Sequence, residues 1–364
     1  EGLCLEVETE RVIDVTQPPY NADKTGRLDS SDIIRLAISN NIGSRCFIYF
    51  PNGTYKVSKP LWWKGKGWKG NEAGWWARLV FRGQSRAGVV IQLADQTLEF
   101  GNPAKPLGVI VTASESPFKD GGNNQGFNNC IRNLTINTGR GNPGAVGIDY
   151  LVSNQGALKE VTIISGDGQG YAGIRMERSW PGPGLIKNVE IQGFNYGIKW
   201  DPMDYSMTLE HITLKNQKIA GIFNKTAQAH IHGLTSINTV PALVSPNGFN
   251  ILVQANLSGG SPTNAAIISN DTLVRDVTIG GYGMAIDDRS KANHDVPMNG
   301  NSTLVTEYVN PPARSLFPSS PHTLRLPIEE TPEYEDEDPS QWANIMDYGA
   351  VRDGKTDCTA AIQK

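Results

Sequence analysis

Residues 131–136 read IRNLTI, and the phrase returns as LKEVTI at 158–163, IKNVEI at 186–191, LEHITL at 209–214, IHGLTS at 231–236 and VRDVTI at 274–279. The central apolar residues Leu134, Val161, Val189, Ile212, Leu234 and Val277 stand 27, 28, 23, 22 and 43 residues apart, so the last interval holds two periods and a further copy is expected near Leu257. A repeat of this length marks a solenoid, in which one unit cannot bury its own apolar face and stacks on the next. Apolar residues alternate within each copy, which is the signature of a strand. A second strand follows each time behind a small residue, as VGIDY, AGIRM, YGIKW, AGIFN, AAIIS and GMAID. The turns between them are rich in Gly and Asn, which accept positive φ at tight corners. Two or three short strands per coil, wound the same way, give an all-β fold, a parallel β-helix with rungs about 4.8 Å apart. The repeat does not set the handedness, but parallel crossovers are nearly always right-handed, so a right-handed parallel β-helix (solenoid) is expected.

Charged residues make up 19% of the 364, the formal net charge is −4, and no basic run occurs. That balance excludes nucleic acid and other polyanions held mainly by Lys and Arg. No apolar run approaches the ~18 residues of a membrane span, so no membrane partner is expected. Cys4, Cys46, Cys130 and Cys358 lack the close spacing of a zinc or redox motif and are expected as buried free thiols. His230 and His232 share one strand face without an obvious third ligand, and neither metal nor cofactor is expected. The chain opens at Glu1 without Met and carries sequons at Asn52 and Asn301. A secreted or extracellular protein, or a periplasmic one, is the expectation.

Residues 1–9 form a tail. A first strand, RVIDVT, precedes a helix whose apolar stripe is Ile33, Ile34, Ala37 and Ile38, with Asp29, Ser30 or Ser31 as its cap. Such a helix shields the open end of the first coil. The segment RCFIYFPNGTYKVSKPLWW reads as strand, Pro-Asn-Gly turn and strand. The loop after it carries Trp62, Trp63, Trp68, Trp75 and Trp76, either to hold a glycan or to pack down over the cap or a second domain. A long loop from Asp95 to Asn129 leads into the regular rungs, which fade through NSTLVTEYV, and the first β-helix domain as a whole spans 10–309. Seven prolines and the run EYEDEDP mark 310–341 as an extended linker.

Outward carboxylates on stacked strands suit glycoside hydrolysis, which needs an acid for the leaving oxygen and a base or polar relay for water, roughly 6.5–9.5 Å apart when configuration inverts. The candidates are Asp149, Glu177, Asp201, Asp204 and the pair Asp287–Asp288, although adjacent strand residues face opposite ways and the pair suits a turn or cap. Glu177, Ser179 and Trp180 follow one strand, and Trp200 with Asp201 follows the next. A carboxylate beside an indole on neighbouring rungs makes a sugar subsite; the alternative is that Trp180 covers a turn and Asp201 caps Pro202. A polyuronide lyase would instead use Arg175 or Lys199, at matching places in successive strands, as its base.

The stretch IMDYGAVRDGKTDCTAAIQK, at 345–364, resembles the opening signature of the pectate-lyase-like β-helix superfamily: a strand, a Gly-Ala-x-x-Asp-Gly-x-x-Asp turn and a capping helix. The stretch from Val12 to Pro60 looks like a worn copy of it, keeping the helix and the FIYFPNGTYKVSKPL strand pair but not the DGKTD turn. Two openings imply tandem β-helices, the second beginning at 342–364. That plan is similar to glycoside hydrolase family 55, the exo-acting β-1,3-glucanases. The segments GIDYLVSNQGALKEV, GIRMERSWPGPGLIKNV, IQGFNYGIKW and LEHITLKNQKIAGI look like its first-half coils.

The resemblance implies a polysaccharide or oligosaccharide partner, a cleft shared with a second β-helix domain of the same protein, and a general acid beyond Lys364. It also implies water positioning by Ser179. Asn154 stands where the family pattern has Gln, which puts activity or bond specificity in doubt. A non-catalytic, tailspike-like glycan-binding or adhesive β-helix is the other class of function.

Overall fold

The computed structural model describes residues 11–44, 46–63, 79–112, 127, 129–152, 156–179, 181–201, 205–290, 293–312, 316–318, 320, 322–331 and 345–363. Two compact units result, Glu1–Pro321 and His322–Lys364. In the first unit the chain winds as a parallel β-helix with three strand-bearing sides. One side stacks Arg11–Asp14, Cys46–Phe50 and Leu79–Gly83, then the opening halves of the long strands that begin with Cys130–Asn137. The second stacks Thr25–Asp29, Gly53–Val57 and Val89–Leu93, then the closing halves of those long strands. The third runs from Leu61–Trp62 through Leu107–Val111, Ala145–Asp149, Ala172–Met176, Tyr196–Trp200 and Ala220–Asn224 to Met284–Asp288.

Register turns the repeat into vertical ladders. Ile131, Leu158, Ile186, Leu209, Ile231, Leu252 and Val274 lie one above another, each buried. Ile148, Ile174, Ile198, Ile222, Leu243, Ile267 and Ile286 do the same inside the third side. Each such side chain removed from water contributes about 1.5–3 kcal/mol, which is why the interior is aliphatic on every coil. The extra copy expected near Leu257 is centred two residues earlier, since Ala255 is the partner of Val277. Leu257 instead pairs with Ile279, the outer apolar position of the same phrase. Alanine at the central position hides that copy from a search for large apolar residues.

The phrase itself has an irregular step: Ile131 and Leu134 are three apart, and both point inward. Strict alternation would flip the second one out. The chain resolves this with one left-handed residue per coil, Asn133, Glu160, Asn188, His211, Gly233, Gln254 and Asp276, with φ between 52° and 71°. Each bends the strand at the corner between the first two sides and resets its facing. Since a β-branched residue resists that conformation by about 1–2 kcal/mol, Asn188→Val is expected to be less stable than Asn188→Gly by that amount. Both variants lose the amide's hydrogen bond to Glu160, so their difference in denaturation midpoint isolates the backbone effect.

Both ends of the coil are closed. The helix Ser31–Asn41 buries Ile34, Ala37 and Ile38, with Ile33 partly covered. Its first turn is held by Asp29, which accepts hydrogen bonds from the Ser31 N–H (2.8 Å) and hydroxyl. At the far end the ladder does not fade. NSTLVTEYV lies in a strand, Ser302–Asn310, antiparallel to Ala265–Gly280, and a short strand Val296–Pro297 runs antiparallel to Met284–Asp288. The loop expected over Asp95–Asn129 likewise holds a strand, Leu107–Val111, wholly buried.

The opening turn is less worn than its letters suggest. In the second unit, Asp353 accepts from the N–H groups of Lys355 and Thr356, and Asp357 from the N–H and hydroxyl of Thr359. The Thr356 hydroxyl also donates to Asp353, and together with the Thr356 and Lys355 N–H groups it holds the Asp353 carboxyl down at about 2. In the first unit, Asp23 accepts from the N–H groups of Thr25, Arg27 and Leu28, and is likewise lowered to about 2, chiefly by Leu28. Asp29 then plays the part that Asp357 plays. The two aspartates are six residues apart in place of four, which conceals the shared turn chemistry.

Cys46 is buried as expected, whereas Cys130 and Cys358 are only half-buried; Cys4 lies outside the described residues. No helix among the described residues is long and apolar enough to cross a membrane.

Candidate functional site

The outer surface of the third side gathers the polar candidates. There Asp149, Arg175, Lys199 and Phe223 occupy one register position on four successive coils, with Ile148, Ile174, Ile198 and Ile222 turned inward beside them. One residue further on, Met176, Trp200 and Asn224 turn in and are buried; after them come Glu177, Asp201 and Lys225, again one per coil.

Asp149 is 2% exposed and sits between two guanidinium groups. Arg175 Nε lies 3.2 Å from Oδ2, and its terminal nitrogen bonds the same oxygen. Arg178 Nε lies 3.0 Å from Oδ1, and its Nη2 donates to the carbonyls of Thr112 (2.7 Å) and Asp149 (3.0 Å). Burial alone would raise the Asp149 pKa; the charges of Arg178 and Arg175 overcome this and hold it below the ordinary carboxylate value. This cluster is a buried tie between coils. The expectation that Asp149 meets substrate is corrected: both of its oxygens are engaged.

One coil further along lies a half-exposed cluster. Lys199 Nζ is 2.8 Å from Glu177 Oε1 and bonds the Tyr171 hydroxyl, which donates to Glu177 Oε2 at 3.1 Å. The ammonium also lies 4.9, 5.1 and 5.8 Å from the ring centroids of Tyr171, Tyr196 and Phe223. Those rings climb the coils edge to face, 5.9 Å and then 5.7 Å apart. Burial pulls the Lys199 pKa down, but hydrogen bonds to Glu177 and Tyr171 prevail and hold it above the ordinary lysine value. Burial likewise raises the Tyr171 phenol. Lys199 is therefore a fixed cation, held by the Glu177 carboxyl at 2.8 Å. Neither Lys199 nor Arg175, tied to Asp149, is in the state a lyase base requires.

The remaining candidates fall apart into separate roles. Trp200 is fully buried, so its ring cannot stack on a sugar; the indole packs inside the coil because its register position is that of Met176. Asp201 is half-buried and pairs with exposed Lys225 at 3.0 Å. Ser179 is exposed, two residues from Glu177. Trp180, Asn154 and Asp204 lie outside the described residues, as do Trp68, Trp75 and Trp76. Trp63 is buried and donates Nε1–H to Asn129 Oδ1 (2.8 Å), while Arg35 of the capping helix lies 5.8 Å from the Trp62 ring. Trp62 therefore packs at the cap, and Trp63 packs inside the coil against Phe81. Asp288 accepts from Ser290 N–H and His294 N–H (2.8 and 2.7 Å) while Asp287 pairs with Arg289, the turn role expected of that pair. His232 Nε2 faces Gln254 Oε1 at 2.7 Å.

Tyr171, Tyr196 and Phe223 were not among the sequence candidates. Their signal was present, an aromatic close to Gly-Ile in YAGIRM, YGIKW and AGIFN, before it in the first two and after it in the third, but their meeting depends on register across coils about 25 residues apart.

The sequence pattern of the family described as "Rhamnogalacturonase A/epimerase, pectate lyase-like" matches residues 14–241, which span the cap, the coils and the Glu177–Lys199 cluster. The chain belongs to that family. Membership agrees with the pectate-lyase-like opening, and it leaves the narrower likeness to glycoside hydrolase family 55 as a proposal. No curated protein matches the sequence. Among solved structures, the Agl-KA catalytic domain is 13% identical over 78% of this chain and 50% of its own, with a TM-score of 0.53, a likeness of fold. An iota-carrageenase complexed to iota-carrageenan fragments is 16% identical over 74% of this chain and 59% of its own, with a TM-score of 0.42. The catalytic unit of a GH87 alpha-1,3-glucanase from Streptomyces thermodiastaticus is 13% identical over 77% and 61%, with a TM-score of 0.33. The chain thus spans between half and about six-tenths of the length of these structures.

Proposed function

We propose that this β-helix is the glycan-binding wall of a secreted glycoside hydrolase, acting on β-1,3-glucan by inverting exo-hydrolysis, with a second β-helix supplying the general acid. The observation that carries the reading is the half-exposed cluster of Glu177, Lys199, Tyr171, Tyr196 and Phe223, aligned on three consecutive coils. Aromatic faces suit the C–H face of a pyranose, and an ionised carboxylate accepts hydrogen bonds from its hydroxyls. Bound to the Lys199 ammonium and the Tyr171 hydroxyl, Glu177 is read as a hydrogen-bond acceptor for the sugar and not as the group that protonates the leaving oxygen. Ser179, exposed and two residues after Glu177, is the residue we assign to positioning a water. The buried Asp149 cluster, one coil away, keeps this surface rigid.

The family description also favours a uronate-bearing polymer, so rhamnogalacturonan and polygalacturonate belong in the test beside laminarin. Binding is measured on the 364-residue chain and hydrolysis on a protein carrying both β-helices. The expected result is laminarin binding by the chain and glucose release with inverted anomeric configuration by the larger protein. Absorbance from an unsaturated sugar product would overturn the hydrolase in favour of a lyase, and laminarin binding without turnover by the larger protein would favour an adhesive module.

A further inference from the structure

We propose that the subsite on the third side selects an uncharged pyranose over a uronate, and that Glu177 enforces the selection by occupying Lys199. The inference rests on the glycan reading above and names the substrate class at that site.

The cations within and just after the strands Ala172–Met176, Tyr196–Trp200 and Ala220–Asn224 already have carboxylates. Arg175 and Arg178 share Asp149, Lys199 is bound to Glu177 and Lys225 to Asp201. The Lys199 ammonium is further enclosed by the Tyr171 hydroxyl and the three rings. A uronate reaching this surface would need to displace Glu177 from Lys199. It would also approach Glu177 and Asp201, two half-exposed carboxylates whose preceding residues are register partners on adjacent coils, where rungs are about 4.8 Å apart. Like charge at that distance acts against the wrong ligand more than it helps the right one. A neutral sugar meets no such penalty: its C–H face rests along the Tyr196–Phe223 row, and its hydroxyls bond to Glu177.

The test compares a laminari-oligosaccharide with an oligogalacturonide of equal length by titration calorimetry, on wild type and Glu177→Gln. Wild type is expected to favour the neutral ligand at least tenfold. The variant, with Lys199 released, is expected to move the ratio at least tenfold toward the uronide, and the gain should shrink as salt is added. Equal or tighter uronide binding by wild type, or an unchanged ratio in the variant, would overturn the selection while leaving carbohydrate binding intact. Binding of neither ligand would overturn the glycan reading and the selection with it. An independent measurement follows acetylation by acetic anhydride, site by site, by peptide mass spectrometry. Lys199 should react more slowly than Lys225 in wild type and several-fold faster in Glu177→Gln than in wild type; no change would overturn the occupancy on which the selection depends.

Discussion

Replacing Asp149 with alanine is expected to cost the first unit about 3–5 kcal/mol of stability, read as a lowered denaturation midpoint, because it takes the shared carboxylate out of a buried ion cluster. Arg175 and Arg178 would be left side by side, with side chains 7% and 2% exposed. Asp149→Asn keeps the shape and loses the charge, so it should fall nearly as far. The pH dependence has a definite sign. The folded-state pKa of Asp149 lies below its ordinary value, so the ionised carboxylate contributes fully above the unfolded-state pKa of about 3.9 and its contribution disappears as pH falls through the folded value. The gap between wild type and the alanine variant should be constant from neutrality down to about pH 5 and close in stronger acid. A gap that widened in acid would contradict the assigned ion cluster.

Trp200→Ala should be comparably severe, about 3–5 kcal/mol, since it empties a fully buried indole from the centre of a coil. Trp200→Phe separates volume from chemistry. The indole Nε1–H is buried without a hydrogen-bond partner among the described residues, so phenylalanine removes an unsatisfied donor as well as some packing, and its cost should stay below about 1.5 kcal/mol. Were Trp200 a sugar platform, its alanine variant would instead lose glycan affinity at unchanged stability. Denaturation and titration of the same variant distinguish the two roles.

These two residues mark where the sequence stops being legible. The repeat, the strand pairs and the capping helix could be read because each coil must present aliphatic residues to the same interior, and that demand writes itself as period and spacing. Ala255 escaped because one coil satisfies the demand with a small residue. The antiparallel strand Ser302–Asn310 escaped because alternation is the same whichever way a strand runs. Periodicity assigns a side chain to a face but not what covers that face, so Asp149 and Glu177, both polar and both beside a Gly-Ile strand, look alike in sequence. One is buried between arginines and the other half-open beside Lys199. The aromatic row is the same case in reverse. Tyr171, Tyr196 and Phe223 come together only once the register of three coils is known.

The central claim is that this row is where a glycan binds. Its most direct test is the affinity of Tyr196→Ala for a laminari-oligosaccharide, with the denaturation midpoint measured alongside. Tyr196 is the middle ring of the row and half-buried, so its loss should weaken binding by at least about tenfold, or about 1.4 kcal/mol, while the fold stays intact. An unchanged affinity in a stably folded variant would contradict the claim.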